Sequence, residues 1–510
     1  MGSLYSKRAI FWLIVTSTLI AGVALTPAGW AQLPKENPTQ IPETWDPDAI
    51  NSVEIPLADA KHSPTHISKD YYYRIPARRL YKSYPVYVPG SEPKGYWEWL
   101  KQQEPEVAFD PARLKSQSDW IKAGELVFEA PIAYDFIVTI AQIKGEPWYR
   151  KTGPPIARDG VLPFVRYVVR RKGQIELGTL SCAMCHTRVM PDGTTIKGAQ
   201  GNFPFDRAVG FSIRAGLAGS EEQVKETARA SFDTPWLNPN PHARLGQMSL
   251  DEIASAHEAI PPGVIARNRS SFLYPVQVPD LIGVRERRYL DRTGINLHRN
   301  IGDMMRYAAL NQGGDDLASF GGWRPQAGAG KYPEPTELDR YSDEQLYALA
   351  LYIYSLKPPA NPNKVDDLAS RGRDIFRREQ CDSCHTPPLY TNNKLVPAPG
   401  FTVPAAHRTK LDIEPLVVGT DPGLTLLTRR GTGYYKVPSL LGVWYRGPFE
   451  HGGSELTLED WFNPRRLNDN HVPTGFRGFG VETRKVPGHP FGLDLNDAER
   501  KALIAFLKTL

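Results

Sequence analysis

The chain has 510 residues, 41% of them hydrophobic and 10% aromatic, and its 61 basic and 56 acidic side chains leave a formal net charge of +5. A chain of this length and composition can bury a large core and exceeds one typical domain, which excludes an intrinsically disordered protein. The charge is spread thinly, with no long basic run, so we expect no nucleic-acid partner.

The N-terminal segment has the pattern of a secretory signal peptide. Lys7 and Arg8 precede an apolar run at residues 9–25, and small residues suited to a cleavage site end at Ala31. Residues 1–31 are therefore predicted to direct export, to the periplasm or an equivalent compartment. An uncleaved N-terminal membrane anchor is the alternative, because the apolar run approaches the length that spans a bilayer. No later segment predicts a membrane span.

Residues 32–112 are rich in proline and tyrosine and have no counterpart elsewhere in the chain. Only the sequence "YWEWLKQQ" predicts a short helix there. We expect an irregular N-terminal arm that packs on the remainder of the protein. A docking surface for a partner is the alternative that the sequence leaves open.

All four cysteines fall in two CxxCH motifs, "CAMCH" and "CDSCH". Because an exported protein occupies an oxidising compartment, two disulfides are the first alternative. A zinc ribbon is the second, but its CxxC units lie about 15–20 residues apart, whereas these motifs are about 200 residues apart. Neither alternative explains the trailing histidine. The motif residues are Cys182, Cys185 and His186, and Cys381, Cys384 and His385.

The CxxCH motif is typical of covalent c-type haem attachment. The two thiols bind the vinyl groups of the haem, and the adjacent imidazole becomes an axial ligand of the iron. Two motifs that use every cysteine predict two covalently attached c-type haems. The four cysteines would hold the cofactors, and His186 and His385 would bind the irons.

Further similarities within the chain indicate an internal duplication. The sequence "VPDLIGV" at residues 278–284 resembles "VPSLLGV" at 437–443. A Gly-x-x-x-Phe step begins a predicted helix at Gly124 and again at Gly372, and each half ends in an amphipathic helix. In the first half, residues 162–180 contain a Lys-Gly turn between β-branched segments and predict an inserted β-hairpin.

These patterns predict a mainly α fold of two cytochrome c-like helical domains that arose by internal duplication. Long loops, a small β insertion in the first domain and the irregular N-terminal arm complete the prediction. The first haem domain is expected at residues 113–360 and the second at 368–510, joined by a linker at 361–367.

The second axial ligand decides whether each iron can bind small molecules. The last methionine is Met305, so the second haem has no methionine in its own domain. Its available imidazoles include His489, which lies in a Gly/Pro loop just before the terminal helix, and we predict His489 as the iron ligand. A structural role is the alternative. The other histidines after the second CxxCH motif are His407, His451 and His471.

The first haem has several methionines and histidines available, but Met304 and Met305 lie on a helical stripe that is typical of core packing. One interpretation is a first haem without a strong second protein ligand, open to peroxide or dioxygen. His298 and Arg299 are candidate catalytic residues there, as a proton shuttle and a charge stabiliser. A structural role for both, such as binding a haem propionate, is the alternative.

The segment "KVPSLLGVWYRGPFEHGGSELTLEDWF" resembles the bacterial di-haem cytochrome c peroxidase superfamily, which includes the MauG-type maturation enzymes and the di-haem rubber oxygenases. The resemblance extends over residues 113–510 and implies that His451 contributes to haem binding. Two departures concern peroxidase activity, because the chain has no histidine between His186 and His242 and no methionine in its second half. The matching positions are Pro438 and Leu440; Phe449, His451 and Gly453; and Leu458 and Glu459.

In that superfamily one haem is the reaction centre and the other an electron relay. We therefore expect an exported di-haem redox protein in which the second haem relays electrons and the first activates peroxide or dioxygen. Its partner would be an exported redox protein or a small oxidant. A non-enzymatic electron carrier with both irons six-coordinate is the alternative, and an assembly or docking subunit is a third hypothesis.

Overall fold

The computed structural model describes residues 40–267, 269–325 and 332–510, with the backbone alone for Asp315. The predicted signal peptide at residues 1–31 lies outside this part of the chain. Within it, no helix is long and apolar enough to cross a membrane.

The described part of the chain is mainly helical, as the sequence predicts, although many helices are short. Its α-helices are α1 (Pro47–Val53), α2 (Lys69–Arg74), α3 (Tyr96–Lys101), α4 (Gln117–Glu129), α5 (Ile140–Ile143), α6 (Glu146–Thr152), α7 (Cys182–Cys185), α8 (Phe205–Arg214), α9 (Glu221–Phe232), α10 (Leu250–Glu258), α11 (Ile301–Asn311), α12 (Asp343–Ser355), α13 (Asp367–Arg378), α14 (Ala405–Lys410), α15 (Gly423–Leu426), α16 (Leu458–Trp461) and α17 (Asp497–Lys508).

The strands form one four-stranded sheet, in the order β2-β4-β5-β3, and five two-stranded ribbons among the described residues. The ribbons are β1-β12, β6-β7, β8-β9, β10-β11 and β13-β14, and every pairing is antiparallel. The strands are β1 (Pro64–Thr65), β2 (Ser83–Tyr87), β3 (Ala133–Tyr134), β4 (Val161–Arg171), β5 (Gln174–Thr179), β6 (Thr187–Val189), β7 (Thr195–Lys197), β8 (Val264–Ile265), β9 (Val276–Gln277), β10 (Tyr289–Leu290), β11 (Asn296–Leu297), β12 (Ser319–Phe320), β13 (Leu395–Pro397) and β14 (Tyr434–Lys436).

Two helix pairs, α4 with α12 and α13 with α17, have the same close-packed contact. A Cβ atom on Gly124 of α4 would lie 2.0 Å from the carbonyl oxygen of Ala348 in α12. A Cβ atom on Gly372 of α13 would lie 1.9 Å from the carbonyl oxygen of Ala502 in α17. The missing side chain at each Gly-x-x-x-Phe step therefore allows two helix backbones to touch.

The second helix of each pair has a side-chain cap at the residue that the sequence predicts. Ser342 accepts a hydrogen bond from the backbone N–H of Gln345, and Asn496 accepts one from Glu499. Both helices therefore begin where their first free backbone donors are satisfied. The predicted hairpin is also present, as β4 and β5 around a turn in which Gly173 has a φ of +78°.

The proline- and tyrosine-rich arm contributes to the core, as the packing of its aromatic residues shows. Trp45 is fully buried in a hydrophobic cluster that also contains Phe128 of α4 and Leu349 of α12. Strand β2 of the arm pairs with β4 of the hairpin, with Tyr84 opposite Tyr167. The described residues of the arm are therefore integrated with the elements that carry the first CxxCH motif.

Candidate functional site

The first CxxCH motif forms a single helical turn, α7. Ser181 caps this turn by accepting a hydrogen bond from the N–H of Met184 at 3.1 Å. Cys182 and Cys185 are free thiols, partly buried against two different hydrophobic clusters. Burial raises the pKa of Cys182 to about 12, so this cysteine is a neutral thiol.

His186, directly after α7, has one ring nitrogen fixed by the backbone. Its Nδ1 lies 3.0 Å from the carbonyl oxygen of Pro279, in the segment "VPDLIGV". Burial, with nearby Arg267, lowers the pKa of His186 to about 4, so the ring is neutral. A neutral imidazole that donates its Nδ1–H to a carbonyl keeps the lone pair of Nε2 for a metal ion.

The second CxxCH motif repeats this arrangement. Cys381 begins a single 3-10 turn, Cys381–Ser383, and Nδ1 of His385 lies 3.1 Å from the carbonyl oxygen of Pro438. Pro438 belongs to "VPSLLGV", the second copy of the segment that contains Pro279. Burial lowers the pKa of His385 to about 4 as well. Each CxxCH histidine is thus oriented by the same proline position of a repeated segment.

A cavity of about 230 Å³ lies against the second motif. Both of its cysteines line this cavity, together with the rings of His385 and His489. The two ring centres are 6.3 Å apart. Two metal–nitrogen bonds of about 2.0 Å each, added to the two ring radii, would give a separation of this size. The donor set therefore fits a metal bound between the two imidazoles.

His489 has an unusual backbone conformation and an unsatisfied ring atom. Its φ of +46° lies in the left-handed region, and its backbone is held by a hydrogen bond to Val418 and one from Arg466. Its Nδ1 is buried without a hydrogen-bond partner among the described residues. Burial, with His385 nearby, lowers the pKa of His489 to about 3. A neutral, strained and incompletely bonded histidine is typical of a ligand site.

His451 also lines the cavity of the second site, as the sequence resemblance implies. Its Nδ1 contacts the carboxylate of Glu450, and its ring packs edge-on against Tyr435, with ring centres 4.3 Å apart. Because Glu450 engages Nδ1, the structure fixes the orientation of this imidazole at the cavity wall.

The two candidate catalytic residues of the first site have other partners. Nδ1 of His298 lies 2.8 Å from the carbonyl oxygen of Arg287, and its Nε2 bonds the hydroxyl of Tyr354. Arg299 pairs with Asp303 on α11 and is half exposed. Neither residue lines the cavity of the second site or the cleft beside the first. Their catalytic roles remain a prediction from the sequence.

A cleft of about 2110 Å³ lies beside the first motif and is lined by Leu180 and Gln312. The amide nitrogen of Gln312 is 3.7 Å from the sulfur of Cys182. Among the described residues that line this cleft, the only histidine is His257, whose Nδ1 bonds Asp206, and there is no methionine. The cleft is thus much larger than the second cavity, and His257 supplies the one imidazole among the described residues that line it.

Several site residues escaped the sequence prediction. Arg466 holds the His489 loop, and Arg292, Lys436 and Arg446 line the second cavity. For Arg446 the sequence did contain an indication. Arg287 and Arg446 occupy the same position after the repeated segments "VPDLIGV" and "VPSLLGV".

No protein-family model matches the chain, and no curated protein matches it. Among solved structures, it is similar to hydrazine synthase of Kuenenia stuttgartiensis, at 16% identity and a TM-score of 0.30, and to a MauG-like protein associated with microbial copper homeostasis, at 15% identity and a TM-score of 0.29. Each likeness covers 57% of this chain and 88% of the other. Because both TM-scores are low, we draw no conclusion from either.

Proposed function

We propose that this protein is an exported di-haem c-type cytochrome in redox chemistry. In this proposal the second site transfers electrons, and the first site activates peroxide or dioxygen. The observation that carries it is the common environment of His186 and His385. Each donates Nδ1–H to the proline of a repeated segment, which leaves Nε2 for iron beside two free thiols.

The residues present fit two c-type haems. Cys182 and Cys185 would form the thioether bonds of the first haem, and the two cysteines of the second motif would form those of the second. A bound haem would supply one-electron chemistry at its iron. His385 and His489 would hold the iron of the second haem, and His451, which lines the same cavity, would contact that haem.

The difference between the two sites supports an enzyme rather than a simple carrier. The second cavity is small and has an imidazole on each side, which suits a six-coordinate iron that exchanges electrons. The first cleft is much larger than the second cavity. This site leaves space for a small oxidant. The non-enzymatic carrier remains the second candidate, because two histidine ligands are typical of electron-transfer haems.

The proposal includes the duplicated architecture, with haem domains at residues 113–360 and 368–510 and a linker at 361–367. The matching glycine contacts of the two helix pairs support it. The proposed export depends on the signal sequence in residues 1–31, and the proposed partner is an exported redox protein or a small oxidant.

The test is a low-temperature electron paramagnetic resonance spectrum of the purified ferric protein, with a parallel assay of covalently bound haem. We expect two haems per chain, one high-spin and one low-spin. The spectrum should be repeated after half-reduction, in case the first site opens only then. Two low-spin haems in both states would favour the carrier, and the absence of covalent haem would contradict the proposal.

A further inference from the structure

Four partly buried cations lie beside the segments that orient the two CxxCH histidines. Arg287, Arg292, Lys436 and Arg446 line one small cavity, together with the two prolines that accept the hydrogen bonds of the CxxCH histidines. The cluster is therefore shared by the supports of both sites.

Two of these cations are related by the sequence repeat. Arg287 donates a hydrogen bond to the carbonyl oxygen of Asp280, and Arg446 donates one of 2.7 Å to that of Ser439. Asp280 and Ser439 are both the third residue of the repeated segment. Each arginine is thus held in a similar way by its own copy of the segment, and both side chains line the same small cavity.

The positive charges of the cluster are not balanced by paired carboxylates. None of the four cations forms an ion pair within 4.0 Å with a carboxylate of the described residues. Of the nearby carboxylates, Asp291 pairs with Arg430, and Asp280 accepts a hydrogen bond from the hydroxyl of Tyr445. Charges that are partly withdrawn from water without a counter-charge are costly, so we expect an anion to bind here when the cofactors are attached.

The unsatisfied donors lie where such an anion would bind. The Nε atoms of Arg292 and Arg446 are buried and have no hydrogen-bond partner among the described residues. Lys436 donates to the carbonyl oxygen of Tyr289 at 3.3 Å, which leaves two of its N–H groups. Burial lowers the pKa of Arg292 to about 9, helped by the nearby Arg446 and Arg287. A bound anion would relieve this repulsion.

We propose that Arg292, Lys436 and Arg446 bind the propionate carboxylates of the second haem. These three cations line the cavity that contains the second CxxCH motif and His489, as well as the small cavity between the sites. Guanidinium groups bind carboxylates through paired N–H donors, and an ammonium group adds a charge-assisted hydrogen bond. The inference rests on the proposed function, since it requires a haem in the second cavity.

The test uses the full-length protein with both haems attached and the variants Arg446→Gln and Lys436→Gln. The first measurement is the position of the propionate bending bands in the resonance Raman spectrum. The second is the midpoint reduction potential of the low-spin haem. Removal of a partly buried positive charge near the haem favours the ferric iron, so we expect at least a tenfold shift of the ferric–ferrous equilibrium. This corresponds to a potential lower by about 59 mV for one electron.

Two further variants separate the effect of the charge from that of the hydrogen bonds and provide a control. Arg446→Lys keeps the charge but removes the paired donors, so we expect it to shift the Raman bands and change the potential much less. If the glutamine variants fail to incorporate haem, Arg446→Lys still allows the proposal to be tested. Arg288→Gln is the matched control, because Arg288 is exposed, pairs with Asp412 and lines neither cavity.

The inference would be overturned by unchanged Raman bands and potential in variants that carry both haems, or by a change confined to the first haem. A potential that varies with added acetate would identify a free anion instead of a propionate and would also overturn it. Wild-type protein without covalent haem would contradict the proposed function itself, which separates the two failures.

Discussion

His489 adopts a left-handed backbone conformation at the wall of the second cavity, and its ring faces the same space as that of His385. We expect His489→Ala to convert the proposed second haem completely from low-spin to high-spin or water-ligated, because it removes one of the two imidazoles proposed to bind that iron. Electron paramagnetic resonance of the ferric protein measures the change. The control is His407→Ala, since His407 bonds Tyr434 outside this cavity. An unchanged low-spin signal in His489→Ala would eliminate the ligand assignment.

Arg466 is the residue that fixes the loop of His489. Its side chain is fully buried and donates hydrogen bonds to the carbonyl oxygens of Trp461, Val486 and His489, at 2.8, 2.6 and 2.8 Å. Burial lowers the pKa of Arg466 to about 10. The guanidinium therefore holds in place a backbone conformation that is otherwise unfavourable for histidine.

We expect Arg466→Lys to loosen this loop, because an ammonium group cannot reach three carbonyl oxygens in one plane. Part of the second haem should become high-spin, and added imidazole should restore the low-spin signal. The free energy of unfolding should fall by at least about 1.5 kcal/mol, the contribution of one charged hydrogen bond. Arg465→Lys, one residue earlier in the chain, is the control. A fully low-spin spectrum that does not respond to imidazole would show that Arg466 does not position His489.

At the scale of elements, the contact between α13 and α17 depends on Gly372. A methyl group there would overlap the carbonyl oxygen of Ala502, so we expect Gly372→Ala to separate the helices and lower the free energy of unfolding by about 1–3 kcal/mol. Urea unfolding measures this change. Gly246→Ala is the control, since a Cβ atom at Gly246 meets nothing within 4 Å. Equal stability of the two variants would contradict the proposed role of the glycine.

Elements with local signals were predictable from the sequence. The caps of α12 and α17 follow from Ser342 and Asn496, and the hairpin of β4 and β5 follows from β-branched residues around a turn. The short ribbons were not predicted, because strands of two or three residues carry no measurable periodicity. The pairing of β2 with β4 also escaped prediction, since it joins segments that are distant in the chain.

In the candidate site, too, only the residues with a local sequence signal were predictable. The CxxCH motifs predict the attachment residues because the groups that this chemistry needs lie within five consecutive positions. The site of Lys436 and Arg292 is assembled by tertiary structure, and nothing near either residue in the sequence marks it as buried. The catalytic role of His298 stays a prediction from its sequence neighbourhood. In the structure both of its ring nitrogens have hydrogen-bond partners.

At the scale of the whole molecule, a buried ion cluster connects the N-terminal arm to the remainder of the chain. The carboxylate of Glu54 lies 2.6 Å from Nε2 of His66, within the arm, and 3.4 Å from a guanidinium nitrogen of Arg269. The backbone N–H next to it, of Ile55, bonds the carbonyl oxygen of Ile295. An arm attached in this way is structural, which argues against its acting only as a docking segment.

The charge of Glu54 makes the stability of the protein depend on pH. Burial disfavours the charged carboxylate, but His66 and Arg269 outweigh it and hold the pKa of Glu54 below its usual value. A carboxyl whose pKa is lower in the folded than in the unfolded state stabilises the fold above the unfolded pKa of about 4.3. This contribution is lost as the pH falls through the folded pKa.

We therefore expect Glu54→Gln to lower the free energy of unfolding by about 3 kcal/mol at pH 7, where it removes the negative charge beside the buried guanidinium of Arg269. The difference from wild type should persist down to about pH 5 and shrink as the pH falls below about 4.3, where the carboxyl of the unfolded chain takes up a proton. It should reach its minimum below the lower pKa of the folded protein. Urea unfolding at a series of pH values measures it. Glu98→Gln is the control, because Glu98 is exposed and pairs only with Lys101 on the same helix. A difference that stays constant down to pH 3 would show that the ionised form of Glu54 does not stabilise the arm.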